Sequence, residues 1–276
     1  QKPIKNKWNL KYNKLDRLNQ LITRSNLLGS DLKITNFGGG NTSSKIILKD
    51  PITKKNETIL YVKGSGGDLG SIKENGFASL YMDKLNNLKK IYRGFNHEDE
   101  MVNYYPMCTF NNNPRAASID TPLHAYVPFP EVDHTHPDSV IALATMKNGK
   151  EIIKKVYNNK LGWLDWQRPG FDLGLKMENL IKNNKNIIGI ILGHHGLFTW
   201  GNNSEDCYKN SINIIKKAQV YLNQSIKKNP FGKSIFQKKS YPEFEKKLIS
   251  VIRGNLSIDS SKLLHLDKSN TTLEFV

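Results

Sequence analysis

The stretch EVDHTHPDSV, residues 131–140, constrains this chain more than any other. On a β-strand, residues i and i+2 share a face. His134 and His136 therefore project side by side, with Asp133 and Thr135 turned the other way. Pro137 cannot donate to a sheet ladder, so the strand ends there, and PDSVIALATM reads as a helix opening at the strand's mouth. Two parallel imidazoles suit one metal ion, with Zn–N bonds of roughly 2.0–2.1 Å. The alternative is a pair of half-buried strand histidines bonded to their neighbours, and a third ligand decides between the two.

GHHGL (193–197) offers that ligand. IIGIILGHHGLFTWG reads as two buried strands around a tight break, with His194 and His195 at the break. Neighbours on a strand face opposite ways, so one of the two can join a metal and the other cannot easily do so. Three histidines with an open coordination position make a catalytic type of site, because the open position admits water or substrate.

Two glycine-bearing loops precede this. NFGGGNTSSK (36–45) places Asn41, Thr42 and Ser43 behind three glycines, and VKGSGGDLG (62–70) offers Ser65 and the amides around Gly66. Both suit close approach to an anion. Neither is a P-loop, and the second has the spacing G-x-G-x-x-x-G rather than a dinucleotide fingerprint.

The other elements follow from periodicity. A helix is predicted over 15–29, strands at SKIILKD and TILYVKG, and helices near 78–90 and 97–105, at GKEIIKKVY, at LGLKMENLIKNN and from Ser204 onward. Composition shifts at KKNPFGKS, which sets a boundary between residues 1–236 and a segment 237–276 with a helix near 242–252 and β-type runs KLLHL and TLEFV. The net charge is +16, yet only 6 of the 41 basic residues are arginine and the lysines are scattered among asparagines. Nucleic-acid recognition favours clustered arginine forks, so no nucleic acid is expected as a partner. No apolar run approaches the roughly 20 residues that span a bilayer, so no membrane is expected either. The basic N-terminus lacks the apolar core of a signal peptide, and two cysteines make no disulfide framework. A cytoplasmic location is the expectation.

Taken in order, GGGNTSSK, VKGSGG, SIDTPLH, HTHP and HHGLFTWG resemble the class II aldolase/adducin family over most of residues 15–228. The wording of GGGNTSSK, VKGSGGDL, HTHPDS, RPGFDL and LEFV is most similar to the N-terminal aldolase domain of bifunctional rhamnulose-1-phosphate aldolase/short-chain dehydrogenase proteins. The resemblance implies a three-layer α/β/α fold with a mainly antiparallel central sheet. It implies a divalent metal, usually zinc, on His134, His136 and His195, and a sugar-phosphate substrate held by Asn41, Thr42, Ser43, Ser65, Gly66 and Ser118. It further implies a homo-oligomer, a fused dehydrogenase domain in the full-length protein, and cleavage of a ketose 1-phosphate to dihydroxyacetone phosphate and an aldehyde such as lactaldehyde. Epimerase or dehydratase chemistry on the same scaffold, or a non-catalytic adducin-like interaction domain, are the competing outcomes.

The chain departs from the family pattern at SIDTPLH. Asp120 stands where the family has a catalytic glutamate, and Ile119 where it has a second serine. Asp120 also precedes Pro122 at a helix start, where an aspartate can serve as a plain cap. Asp172 is the reserve carboxylate, as a cap or near the metal, and His124 reads as a packing or supporting residue.

Overall fold

The computed structural model describes residues 3–225, 241–269 and 272. The chain divides into two compact units, Gln1–Gln224 and Ser225–Val276. The 236/237 boundary read from composition lies outside the described residues.

In the first unit, helix α1 (Arg17–Gly29) precedes strands β1 (Asn41–Lys49), β2 (Asn56–Lys63) and β3 (Phe77–Tyr81). Short helices α2 (Met82–Asn87), α3 (Glu98–Val102) and α4 (Thr121–Ala125) lead to β4 (Glu131–Thr135). Then come α5 (Asp138–Ala144), α6 (Gly149–Val156), β5 (Leu161–Leu164), α7 (Phe171–Asn183), β6 (Gly189–Leu192), β7 (Gly196–Gly201) and α8 (Ser204–Ser225). In the second unit, α9 (Pro242–Leu256) is the described helix, and residues 262–266 form no strand. The predicted TLEFV run lies outside the described residues except for Thr272.

The seven strands form one sheet in the order β3-β2-β1-β4-β7-β6-β5. It is a mixed, mainly antiparallel sheet: β5 and β6 run parallel, while every other neighbouring pair is antiparallel. The parallel pair follows from its connection, since α7 carries the chain back across between β5 and β6. A correction concerns residues 78–90. FASLY is β3, and the helix starts only at Met82, because alternate residues of this run bury against β2 and the neighbouring helices.

Apolar clusters lie on both faces of the sheet. Ile191 and Leu197 pack with α1, α5, α6 and α8, whereas Ile190, Leu192, Phe198 and Trp200 pack with α4 and α7. Adjacent residues going to opposite clusters is the period-2 signature of a strand covered on both sides.

The pleat of β4 is fixed by charge. Glu131 and Asp133 point toward α1, where fully buried Arg24 donates to Glu131 Oε2 at 2.5 Å and Asp133 Oδ1 at 2.8 Å. The same guanidinium donates to Ser204 Oγ and the Ser43 carbonyl, each at 2.7 Å. Ser211 Oγ completes Asp133, and Ser44 Oγ and Arg17 complete Glu131. A buried ion pair repays its desolvation only when its remaining polar atoms are satisfied, and here they are. With Glu131 and Asp133 anchored on one face, alternation places His134 on the other.

Candidate functional site

Three elements deliver the histidines. His134 comes from β4, His136 from just past its end, and His195 from the turn between β6 and β7. His134 Nε2 lies 3.0 Å from His136 Nε2 and 3.1 Å from His195 Nε2, and the three donor atoms lie within 4.8 Å of one another. Three nitrogens each roughly 2.0–2.1 Å from one tetrahedral ion stand about 3.3 Å apart.

The outer ring nitrogens settle which atoms face inward. His134 Nδ1 bonds the Leu197 carbonyl at 3.2 Å, and His136 Nδ1 bonds Asn36 Oδ1 at 2.9 Å. Both partners are acceptors, so each Nδ1 carries the proton and each Nε2 presents a lone pair. Bare lone pairs at 3.0 Å repel unless a cation lies between them. Burial, and then the neighbouring rings, hold His134 well below the usual histidine range; burial and His195 bring His136 to about 4, and burial also lowers His195. Neutral imidazoles with a fixed tautomer are the form that ligates a metal. The donor set therefore fits a divalent ion such as zinc.

Close packing supports the cluster. His134 stacks on Phe198, with centroids 4.2 Å apart and planes at 9°. A Cβ at Gly196 would come within 2.7 Å of the Thr135 carbonyl and 2.9 Å of His136 Cδ2, so no larger residue fits there without displacing the His136 ring. His194 takes a left-handed backbone, φ 58°, and is exposed, outside the cluster.

A cleft of about 240 Å³ opens beside the histidines. It is lined by the loop Gly38–Asn41, by Lys63–Gly66, by Ser118–Asp120, and by Pro169 together with the three histidines. The two glycine loops are tied by Asp68, whose carboxylate accepts from Gly38 N and Gly70 N at 3.0 and 2.8 Å. Asp120 occupies the N-cap position of α4 but its side chain does not cap; it accepts instead from Asn41 Nδ2. Burial raises its pKa from 3.8 to about 6, against the opposing pull of Lys63 and Asn41.

The structure brings together Asp120, Asn41, Ser65, Gly66 and Ser118 with the three histidines. It does not bring in Thr42 and Ser43. Thr42 is turned to α1, its Oγ1 2.6 Å from Ser25 Oγ, and Ser43 Oγ lies 2.8 Å from His124 Nδ1; both are fully buried. Alternation along β1 explains Thr42, and His124 lying against the strand explains Ser43. His124 is fully buried and its pKa is pushed down to about 3, first by burial. Asp172 is bound to Gln167 and Lys176 in the first turns of α7 and does not line the cleft.

Three residues escaped the sequence reading. Asn36 orients His136, Lys63 lines the cleft, and Arg115 donates to the carbonyls of Ser65 and Gly66 at 2.5 and 2.6 Å. Asn36 and Lys63 sit inside the two glycine motifs, but only tertiary contacts assign them a task. Replacing Asn36 with alanine leaves the fold intact and weakens metal binding by about 10–100-fold, the usual cost of losing an orienting partner. Competition with a chromophoric chelator measures this; unchanged affinity would show that Asn36 merely touches His136.

Comparison with known proteins places this site in context. The model of the class II aldolase and adducin N-terminal domain matches residues 19–222. The uncharacterized oxidoreductase YuxG of Bacillus subtilis (strain 168) is 38% identical over an alignment of 263 residues that covers 93% of this chain and 37% of that protein. The chain thus spans little more than a third of that relative. The N-terminal class II aldolase domain of a conserved protein from Thermoplasma acidophilum superposes with a TM-score of 0.72 at 31% identity, covering 79% of this chain and 99% of that one. A sugar-phosphate aldolase from Thermotoga maritima shares the fold, with a TM-score of 0.57 at 14% identity over 78% of this chain and 97% of its own. A family match over most of the first unit, with the histidine cluster and both glycine loops inside it, makes this chain a member of the class II aldolase and adducin family.

Proposed function

We propose that the cleft cleaves a ketose 1-phosphate by a retro-aldol reaction, giving dihydroxyacetone phosphate and an aldehyde such as lactaldehyde. The observation that carries this reading is the convergence of three inward Nε2 atoms and the Asp120 carboxylate on one cleft bordered by two glycine loops. His134, His136 and His195 would hold a divalent ion, for which zinc suits the all-imidazole donor set. When bound, such an ion supplies Lewis-acid polarisation of the substrate's carbonyl and hydroxyl oxygens. Ser65, the Gly66 amide and Ser118 would take the phosphate, and Asn41 would keep the Asp120 carboxylate turned into the cleft rather than onto its helix.

Asp120 then acts as the general base. It removes the C4 hydroxyl proton as the C3–C4 bond breaks; the electron pair stays with C3, and the aldehyde leaves. Returning a proton to C3 completes dihydroxyacetone phosphate. Residues 237–276 serve as a connection toward a further domain, which fits the small share of YuxG that the chain covers.

Asp120→Asn tests the base. Turnover falls by about 10²–10⁴-fold with metal content kept. The raised pKa adds a signed consequence. The folded value of about 6 stands above the free value of 3.8, so ionising Asp120 costs the fold stability as pH rises between them. In metal-free protein, Asp120→Asn therefore raises the thermal midpoint at about pH 7.5 and leaves it nearly unchanged at about pH 3. Near-normal turnover of a metal-replete Asp120→Asn protein would remove Asp120 from the chemistry.

A further inference from the structure

We propose that Glu98 is a positioning residue of the cleft: from outside α7 its carboxylate holds the start of that helix, and with it Pro169 as a wall of the histidine site. This rests on reading the histidine cleft as the functional site.

Gly170, the N-cap residue of α7, has no side chain with which to cap. The first amides of a helix have no partner within it and need an acceptor when they are buried. Glu98 supplies one from α3. It is 7% exposed, and its two oxygens accept from the amides of Phe171 and Asp172, the second at 3.1 Å. Tyr92 donates its hydroxyl to Glu98 Oε2 at 2.9 Å. A carboxylate suits this place, because a helix N-terminus carries partial positive charge. Gly170, with φ 152°, makes the approach possible: a Cβ there would collide with Glu98 Oε1 and lie 2.9 Å from its Cδ. The Phe171 ring is clamped as well, with the Tyr92 and Tyr126 centroids at 4.8 and 5.3 Å.

The tether matters for what hangs from it. Residues 164–171 are held at both ends. At one end the Leu164 carbonyl accepts from Gly193 N at 2.8 Å, two residues before His195. At the other end stands Glu98. Between them Trp166 is exposed and Pro169 lines the cleft. Further along α7, a Cβ at Gly174 would lie 2.9 Å from the Pro122 carbonyl of α4, the helix that Asp120 precedes. The start of α7 thus sets one wall of the cleft and backs the helix behind Asp120. Arg168 also pairs with Asp99, but both side chains are exposed, and such a pair adds little. Glu98, not Asp99, is the residue on which the segment depends.

Two readouts on the metal-free full chain test this, and neither requires turnover. Hydrogen exchange at the Phe171 and Asp172 amides is expected to quicken about tenfold or more in Glu98→Ala. Acylation of His195 by diethyl pyrocarbonate, followed by mass spectrometry, is expected to quicken about fivefold as the wall opens. Two other histidines calibrate the labelling: His194, already exposed, keeps its rate, and His124, fully buried, stays unlabelled. Asp99→Ala leaves His195 at the wild-type rate; an acceleration equal to that of Glu98→Ala would overturn the proposal. Glu98→Gln keeps the shape but has one acceptor oxygen for the donors of Phe171, Asp172 and Tyr92, so it falls between wild type and Glu98→Ala. Should Glu98→Ala fail to fold, Glu98→Gln decides, and a wild-type His195 rate refutes the proposal. Faster exchange with an unchanged His195 rate would make Glu98 a plain helix cap and overturn it. Labelling of His124 alongside His195 would mark general loosening and overturn it too. In the retro-aldol reading, Glu98→Ala also raises KM more than it lowers kcat, since a wall touches substrate and transition state alike. The expected labelling in a protein that cleaves no ketose phosphate would refute the aldolase reading alone.

Discussion

Replacing His134 with alanine is expected to prevent binding of a divalent ion and to abolish turnover, while the sheet stays folded. His134 is the member of the triad with both neighbours, its Nε2 lying 3.0 and 3.1 Å from those of His136 and His195. Losing a partner that only orients a ligand already costs about 10–100-fold in affinity, and losing the central donor costs more. The fold survives because β4 is held from its opposite face by Arg24 and by its ladders to β1 and β7. Elemental analysis after dialysis, with circular dichroism alongside, reads both halves. A His134→Ala protein that keeps about one ion per chain would refute the triad as the metal centre.

Arg24→Ala is expected to be the most destabilising single change, by about 3–5 kcal/mol. It leaves Glu131 and Asp133, both fully buried, without their shared guanidinium. Removing one partner of a buried pair costs more than the pair contributes, because an uncompensated charge stays behind. A typical domain has about 5–15 kcal/mol in total, so much of the stability goes at once. Urea unfolding measures it, and a loss below about 1 kcal/mol would show that the network is dispensable. Replacing Arg24, Glu131 and Asp133 together by apolar residues of similar volume is expected to restore most of the loss, which separates stranded charge from lost packing.

The legible parts of the sequence were those governed by local geometry. HTH placed His134 and His136 together because a strand repeats every two residues, and GHHG placed one histidine inward and one outward because two strands meet there. The same rule shows why two residues of NTSS do not reach the cleft: Asn41 lines it, whereas Thr42 faces α1 and Ser43 bonds to His124. Adjacency in a motif is not adjacency in a site. FASLY was lost inside a longer apolar run, whose periodicity does not separate a short strand from the start of a helix. LGWL, four residues long, gave no signal of its own and owes its pairing with β6 to the α7 crossover.

Asp120 and Lys63 mark the limit of such reading. An aspartate before T-P is a helix cap by every local criterion, yet its carboxylate bonds to Asn41, a residue 79 positions away in sequence. A lysine in VKGSGG is an ordinary surface residue until the fold encloses it. Both assignments depend on long-range placement, the information that spacing lacks.

The most direct test of the whole account is product identification with metal-loaded protein and a panel of ketose 1-phosphates. The account predicts metal-dependent release of dihydroxyacetone phosphate and an aldehyde in equal amounts, suppressed by chelation and restored by adding the ion back. A metal-replete protein that returns only an epimerised or dehydrated sugar phosphate, or leaves the whole panel unchanged, would contradict it.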